Sequence, residues 1–334
     1  LSLAVDQNSA EAQYYLGDVY YKARFITPGF SKDFYFKGEL IKCDINKAIN
    51  YFSLAAAQNH PEAQFNLGLI YYKNETIKRD IKKSINYFVS AANQNHSEAL
   101  FYLGLIYDKA EFVPRDINKA IDCYSKSSNL NNSKAQLNLG LLYINEINIR
   151  DVNKAINYLK LSAYQNNTDA QINLGLIYDE GKYVPQNINE AIYFFRLAAY
   201  QKNPEAQFQL GRIYYDRKID QKKAIRYIEL AANNNHPNAQ FSLGLHYYKT
   251  SNNNQIIIKG ADLILRASEN GFKPAIFSAA FLHHEGKCIT QNINKAVNLY
   301  KESSTYENIF AKNNLGVLYK NGFFDVFEKN QQNS

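Results

Sequence analysis

Apolar residues recur along this chain at spacings of three and four positions. In the stretch HPEAQFNLGLIYY, which begins at His60, the residues Ala63, Leu67, Ile70 and Tyr71 stand at i, i+4, i+7 and i+8. That spacing places them on one face of an α-helix. We therefore predict an amphipathic helix here, called helix A, and close copies of the stretch predict further helices A along the chain.

A second helical pattern, called helix B, alternates with helix A. Ala48, Tyr51, Phe52 and Ala55 follow the same helical spacing. Each helix B is preceded by a short polar residue whose side chain can accept a hydrogen bond from a backbone N–H of the first turn. These predicted N-caps are Asp44, Asp80, Asp116, Asp151, Asn187, Asp220 and Asn292. The pattern predicts a row of antiparallel helix pairs.

The two patterns repeat with a nearly constant period. The aligned Leu-Gly glycines are Gly17, Gly68, Gly104, Gly140, Gly175, Gly211, Gly244 and Gly316, and Ala280 takes this place in one copy. Successive positions differ by 51, 36, 36, 35, 36, 33, 36 and 36 residues. A fixed period of this length is typical of a stacked repeat array. The long first interval contains an insertion, residues 24–41, which we expect to be an extended loop.

The period also predicts the domain organisation, which is one repeat array over residues 1–334. Residues 1–8 are predicted to be the tail of a truncated helix B, and residues 9–59 a repeat that carries the insertion. Further repeats are predicted at 60–95, 96–131, 132–166, 167–202, 203–235, 236–271 and 272–307. A final helix A at 308–321 and a tail at 322–334 complete the array.

Composition and charge narrow the class of protein. Hydrophobic residues make up 46% of the chain, which is ample for a folded core. The net charge of +7 comes from lysines spread along the chain, which favours solubility more than a nucleic-acid groove. No apolar run approaches the ~18 residues of a membrane span, so we expect no transmembrane segment.

Cysteine usage and the first residue bear on the compartment. Cys43, Cys123 and Cys288 lie far apart and form no CxxC pair. A sparse, odd number argues against a disulfide-stabilised fold and favours a reducing, cytoplasmic compartment. Leu1 is not a translation start, so we expect the chain to be a fragment and any signal peptide to lie outside it.

The repeated residues resemble the Sel1-like repeat, a relative of the tetratricopeptide repeat. The matching positions are Ala63, Leu67, Gly68, Tyr71, Asp80, Lys83, Tyr87, Ala91 and Ala92. The stretch GKYVP, at Gly181 to Pro185, is similar to the glycine-rich loop of that family. Helix B lacks the Trp common in the family, and tyrosine or phenylalanine stands there. The resemblance implies an all-α, right-handed superhelical α/α solenoid of about eight Sel1-like helix pairs.

Histidines at a shared repeat position raise the possibility of a metal site. His60, His96 and His236 are equivalent, but packed helices lie about 10 Å apart and zinc needs its nitrogens at about 2 Å. We therefore interpret them as residues of the turns between helices. His283 and His284 stand where other copies have tyrosines, and we predict that they pack in the core or line a groove.

Other candidate chemistry also has a structural explanation. The carboxylates of Asp179 and Glu180 are interpreted as solvated groups near a helix end. Cys123 replaces a packing aromatic and is predicted to be a buried structural thiol. The sequence contains no phosphate-binding loop, nucleophile elbow or kinase signature. We therefore predict no enzyme activity, no cofactor and no metal.

One surface of helix A is left for recognition. Positions i, i+4, i+7 and i+11 from Glu62 form a stripe beside the buried face, here called the helix-A stripe. Resemblance to tetratricopeptide-like arrays implies that helix A lines a concave groove. The candidate partner-binding residues are Glu62, Asn66, Leu69, Lys73, Glu98, Tyr102, Lys109, Asn138, Asp169, Asn173, Gln209 and Arg212. Leu105, Leu141 and Leu176 supply apolar contacts in the same stripe.

These observations predict a non-catalytic scaffold or adaptor that binds a segment of a protein partner in that groove. The resemblance implies adaptor roles in assembling membrane-associated or signalling complexes. Two alternatives stay open. The array could be the regulatory or targeting region of a larger enzyme, such as a kinase, whose catalytic domain lies outside the chain. It could also bind RNA or another polyanion, although dispersed lysines make nucleic acid the less favoured partner.

Overall fold

The fold is helical, as a computed structural model of the protein shows. It describes residues 8–22, 35–36, 39–40, 43–73 and 77–322. These residues form seventeen α-helices: α1 Ala10–Lys22, α2 Ile45–Ala57, α3 Pro61–Lys73, α4 Ile81–Ala92, α5 Ser97–Lys109, α6 Ile117–Asn129, α7 Ser133–Asn145, α8 Val152–Tyr164, α9 Thr168–Glu180, α10 Ile188–Tyr200, α11 Pro204–Asp216, α12 Gln221–Asn233, α13 Pro237–Thr250, α14 Asn254–Glu269, α15 Lys273–Glu285, α16 Ile293–Thr305 and α17 Ile309–Lys320. A short 3-10 helix, Ile147–Ile149, lies between α7 and α8.

The helices alternate between the two predicted types. Odd-numbered helices are helices A, even-numbered helices are helices B, and the prediction of an all-α array of helix pairs is confirmed. The chain divides into two compact units at Ala170 and Gln171, close to the start of α9. The repeat boundaries predicted from the sequence, including one array over the whole chain, stay a prediction. The predicted tails lie outside the described residues except for Asn8 and Gly322.

The insertion contains a short pair of strands. Strand β1, Tyr35–Phe36, runs antiparallel to β2, Glu39–Leu40, with Tyr35 opposite Leu40. The sequence predicted only an extended loop for residues 24–41, and the rest of that segment lies outside the described residues. Two residues on each side show little alternation of apolar and polar positions, so the pattern offered no signal for strands.

Seven helices A, α1 to α13, contact the following helix B through the glycine of the Leu-Gly pair. A Cβ atom at Gly68 would lie 2.5 Å from the ring of Phe88 on α4, and one at Gly104 would lie 2.5 Å from the ring of Tyr124 on α6. Real Cβ atoms do not approach that closely, so glycine lets the helix B side chain lie directly on the helix A backbone. The repeated glycine is therefore a requirement of close helix packing.

The start of helix B is stabilised by three linked contacts. The side chain of Asp80 accepts a hydrogen bond of 2.9 Å from the backbone N–H of Lys83, which confirms the predicted N-cap. The Lys83 ammonium lies 5.2 Å from the ring centroid of Tyr71 on α3. Tyr71 also stacks on Tyr87 of α4, with ring centroids 5.9 Å apart and planes within 6°. The D-x-x-K motif thus joins the first turn of helix B to helix A.

Candidate partner-binding surface

The first position of the helix-A stripe contacts the following repeat. Glu98 accepts hydrogen bonds from Asn132 Nδ2 at 3.2 Å and from Lys134 Nζ at 3.3 Å. Glu205 accepts one of 2.9 Å from His236 Nε2, and this bond lowers the pKa of its carboxyl group. The other members here, Glu62 and Asp169, are exposed. The carboxylates of Glu98 and Glu205 therefore stabilise repeat packing and are only partly available to a partner.

The second position is half-buried in the five helices A that carry predicted partner-binding residues there, whereas the equivalent residues Tyr15 of α1 and Ser242 of α13 are exposed. Asn138 Nδ2 donates a hydrogen bond of 3.0 Å to the hydroxyl of Tyr124 on α6. Tyr102 stacks on Phe88, with ring centroids 5.4 Å apart, and burial raises the pKa of its hydroxyl. The remaining members are Asn66, Asn173 and Gln209. These side chains lie between the core and the surface, so part of their hydrogen-bonding capacity serves the fold.

Leucine and charged residues complete the stripe. Leu69 is half-buried and packs against the core cluster that contains Phe88, whereas Lys73 and Lys109 are exposed. The stripe therefore presents half-buried apolar and amide groups, followed at the C-terminal end of helix A by an exposed polar residue such as Lys73, Lys109 or Asn145.

The environment of Asp179 differs from the sequence prediction because Arg212 pairs with its carboxylate. The guanidinium of Arg212 forms an ion pair with Asp179 on α9, and its Nε donates a hydrogen bond of 2.8 Å to Gln209 Oε1. Asp179 is only 8% exposed, so its interpretation as a solvated carboxylate was wrong, while Glu180 is exposed. A carboxylate can be buried there because the arginine of the next helix A compensates its charge.

Four stripe residues from two helices meet in one surface depression. Lys109 of α5 and Asn138, Leu141 and Asn145 of α7 line a depression of about 380 Å³. Its lining does not include Glu62, Asn66, Leu69 or Lys73 of α3, which lie one repeat away. The fold thus brings Lys109 beside residues that stand 29 to 36 positions later in the sequence.

Arg115 belongs to the same depression and was not predicted. Its Nη2 lies 3.0 Å from Asp108 Oδ1 and 2.6 Å from Glu146 Oε1, and these two hydrogen bonds raise the pKa of the guanidinium. The only signal in the sequence is a basic residue after Pro114 in a loop between acidic positions. That signal is weak because the three charges come together only when two repeats stack.

The equivalent histidines are helix caps. Nδ1 of His96 accepts a hydrogen bond of 3.2 Å from the backbone N–H of Ala99, and the ring stacks on Phe65 at 4.5 Å. His236 caps α13 in the same way, through the N–H of Ala239 at 3.2 Å. Because Nδ1 accepts in both, the neutral ring carries its proton on Nε2. Their interpretation as turn residues is confirmed.

The remaining candidates also have structural surroundings. His283 is buried, and Nδ1 of His284 lies 3.4 Å from the hydroxyl of Tyr300. Cys123 is half-buried against the cluster of Phe88 and Leu103, where burial raises the pKa of its thiol to about 11.

Among the residues that the structure describes, no group of three or more His, Cys, Asp or Glu could hold a metal ion. In that same part of the chain, no helix combines the length and apolarity that crossing a membrane requires.

Antiparallel helix pairs repeated about every 36 residues define a helical-repeat protein. The model of the Sel1 repeat matches residues 10–60, 61–96, 97–132, 133–167, 168–203, 204–236, 274–305 and 309–333. The chain belongs to the Sel1 repeat family. The matches leave out residues 237–273, yet α13 and α14 in that segment form the same pair, since a Cβ at Gly244 would lie 2.8 Å from Ile264 of α14.

Two solved structures are similar over nearly the whole chain. A Sel1 repeat protein from Oxalobacter formigenes is 26% identical, with a TM-score of 0.74 over 94% of this chain and 89% of that one. A protective antigen of uropathogenic Escherichia coli strains, which displays an SLR fold, is 24% identical, with a TM-score of 0.70 over 96% of this chain. The chain spans 66% of that antigen, slightly less than two thirds. The comparison with curated proteins finds no match.

Proposed function

We propose that this protein is a non-catalytic scaffold that binds an extended segment of a partner protein along the helix-A stripe. The observation that carries the proposal is the depression between α5 and α7. This depression has a volume of about 380 Å³, and four members of the stripe line it: Lys109, Asn138, Leu141 and Asn145. A surface assembled from equivalent positions of successive repeats suits an extended ligand, which runs past one repeat after another.

The groups in the stripe match the chemistry of a peptide backbone. An asparagine side chain offers two N–H donors and a carbonyl oxygen, and Asn138 donates one of its N–H groups to the hydroxyl of Tyr124. The remaining groups can pair with backbone amides of a bound segment. Leu141 is half-buried beside it and offers apolar contact to a side chain. Backbone hydrogen bonds supply affinity in such complexes, and side-chain contacts supply specificity.

The lysines of helix B favour a protein partner over a polyanion. Lys83 and Lys119 lie over tyrosine rings of helix A, at 5.2 Å and 5.3 Å, and near the N-cap carboxylates of their own helices. Arg115 and Arg212 are likewise paired with acidic side chains. When a protein cation neutralises a phosphate, the polyanion releases a bound counterion, and this release drives binding. Cations that already pair with carboxylates contribute less to that affinity. Adaptor or signalling roles and a cytoplasmic location form part of this proposal.

The test begins with affinity capture and continues with a purified partner segment, whose binding is measured by isothermal titration calorimetry. The stripe variant carries four substitutions at its second position: Asn66→Arg, Asn138→Arg, Asn173→Arg and Gln209→Arg. Four bulky charges there should lower affinity at least tenfold, and circular dichroism and thermal unfolding check that the variant remains folded under the binding conditions.

A matched control carries the same four charges on helix B. Asn50, Asn86, Asn157 and Asn298 occupy one equivalent, exposed position there. Their change to arginine should leave affinity unchanged. Equal binding by all three proteins would place the partner on another surface. Affinity that falls steeply with salt, together with captured nucleic acid, would favour the polyanion alternative instead.

A further inference from the structure

The space between three successive helices is filled by two aromatic rings in one repeat. In the α3–α4–α5 group, Phe88 and Tyr102 stack with centroids 5.4 Å apart and planes within 16°. Phe65 lies 5.9 Å from Phe88, and Tyr72 lies 5.7 Å from Tyr102. Phe88 is completely buried. The space between these three helices therefore accommodates two stacked rings, Phe88 and Tyr102, with Phe65 and Tyr72 as aromatic walls on either side.

The equivalent space in the α11–α12–α13 group is a cavity. Ile228 stands at the position of Phe88 and Ser242 at that of Tyr102, so both rings are missing. The walls remain, since Phe208 and Tyr215 are equivalent to Phe65 and Tyr72. A pocket of about 290 Å³ results, whose apolar lining also includes Ile225 and Leu243. Ile228 is half-buried and Tyr215 is 60% exposed, so the pocket is open to solvent.

Loop length explains why this pocket stays open. The α13–α14–α15 group also combines isoleucine, Ile264, with serine, Ser278, but there Cys288 and Ile289 of the loop after α15 pack against the cluster and Ile264 is 1% exposed. After α13 the connection to α14 is only residues 251–253. A connection of three residues offers no comparable apolar cover.

We propose that this pocket binds one aromatic side chain of the partner segment. Its volume of about 290 Å³ is slightly below the ~300–1,000 Å³ of small-molecule sites, which suits one side chain better than a whole ligand. Arg212 and Asp216, both members of the helix-A stripe, stand at the pocket together with His246. A segment bound along the stripe would therefore pass over the pocket. The inference rests on the proposed function and adds to it an anchor that recognises a ring.

The first experiment uses the full chain and a minimal probe. N-acetyl-phenylalanine amide is titrated into protein with labelled isoleucine and leucine methyl groups, and N-acetyl-alanine amide serves as the matched control probe. The methyl signals of Ile225, Ile228 and Leu243 should shift with the phenylalanine probe, with a Kd of about 1 mM, because a single ring offers few contacts. The alanine probe should leave them unchanged. Absent shifts, or equal shifts with both probes, would overturn the proposal.

The second experiment fills the pocket with the chain's own rings. The double variant Ile228→Phe, Ser242→Tyr reproduces the α3–α4–α5 group. Gly211 leaves room for the new ring because it lacks a Cβ, as Gly68 does opposite Phe88. The double variant should abolish probe binding, raise the melting temperature and weaken binding of the purified partner segment at least tenfold. The filled variant could bind the partner as the wild type does while the arginine stripe variant does not. In that case the aromatic-anchor proposal is wrong and the scaffold proposal stands. If neither variant affects partner binding, both proposals fail.

Discussion

Nε2 of Gln94 donates a hydrogen bond of 2.9 Å to Oε1 of Gln64. Gln64 is 4% exposed, and its own Nε2 donates to the carbonyl oxygen of Ala56 at 3.3 Å. The buried amide of Gln64 on α3 thus links α2 to the turn that follows α4. The same pairing recurs at Gln136 with Gln165, Gln171 with Gln201, Gln207 with Asn234 and Gln240 with Asn270. In one repeat, Leu100 and Leu130 replace both partners together.

This pairing leads to a double-mutant prediction. Gln64→Leu should lower the free energy of unfolding by about 1–3 kcal/mol, because the carbonyl oxygen of Ala56 loses its buried donor. Gln94→Leu should lower the free energy of unfolding less in the Gln64→Leu variant than in the wild type. The reason is that the double variant reproduces the pair of Leu100 and Leu130. Urea denaturation of the two single variants and the double variant measures the coupling. Strictly additive effects would mean that the two amides act independently.

The repeated glycine gives a second prediction with an internal control. Gly68→Ala should destabilise the protein by about 1–3 kcal/mol, because the new Cβ would meet the Phe88 ring at 2.5 Å. Gly316 stands at the same repeat position, but no atom of the described residues lies within 4 Å of a Cβ built there. Gly316→Ala should stabilise α17 by about 0.5–1 kcal/mol through helix propensity. Thermal unfolding distinguishes the two, and similar effects would contradict the packing argument.

The turns between repeats give a third prediction. Asn59, Asn95 and Asn235 adopt φ near +60° after helix B, and Lys202 has φ of +62° at the same place. Asparagine tolerates this left-handed conformation better than lysine does. Lys202→Asn should therefore raise the free energy of unfolding by about 0.5–1 kcal/mol. The reciprocal change, Asn95→Lys, should lower it by a similar amount, and chemical denaturation checks both signs.

The histidine cap gives a pH prediction. Burial lowers the pKa of His96 below its ordinary value of 6.5. The folded protein therefore binds this proton less readily than the unfolded chain. The stability that neutral His96 contributes is complete above pH 6.5 and is lost as pH falls from there towards the folded-state pKa. The free energy of unfolding should decrease with acidification through this window.

A substitution isolates that effect from other titrating groups. Asn132 and Asn203 cap the equivalent helices with a side-chain oxygen. His96→Asn should keep the cap and flatten the pH dependence as pH falls below 6.5. Urea titrations of both proteins at several pH values measure the difference. An unchanged pH profile in the variant would show that His96 is not the responsible group.

Much of the fold could be predicted because its signals are local. The Asp80 cap lies next to the helix that it starts, and the Asn95 turn needs only its own backbone conformation. The apolar spacing of Ala63 and Leu67 reports which face of helix A is buried, and both side chains are completely buried. Such features depend on residues within one or two turns, so a single repeat carries the information.

The candidate site was less predictable because its parts belong to different repeats. The stripe was named from one helix, yet the depression needs Lys109 of α5 beside Asn138 of α7. Asp179 resembled a solvated carboxylate in the sequence, and its burial depends on Arg212, which stands more than thirty residues later. Charge compensation at that distance along the chain leaves no periodic trace.

The sequence alone was enough to establish the helices, their order, their caps and their buried faces, because periodic side chains encode each of these within one repeat. The tertiary structure decided which side chains of neighbouring repeats meet, as Gln64 and Gln94 do, and where the space between helices stays open, as it does at Ile228. The physical reason is that such a contact or cavity depends on the combined volume and charge of three helices and a loop, and no single segment contains that sum.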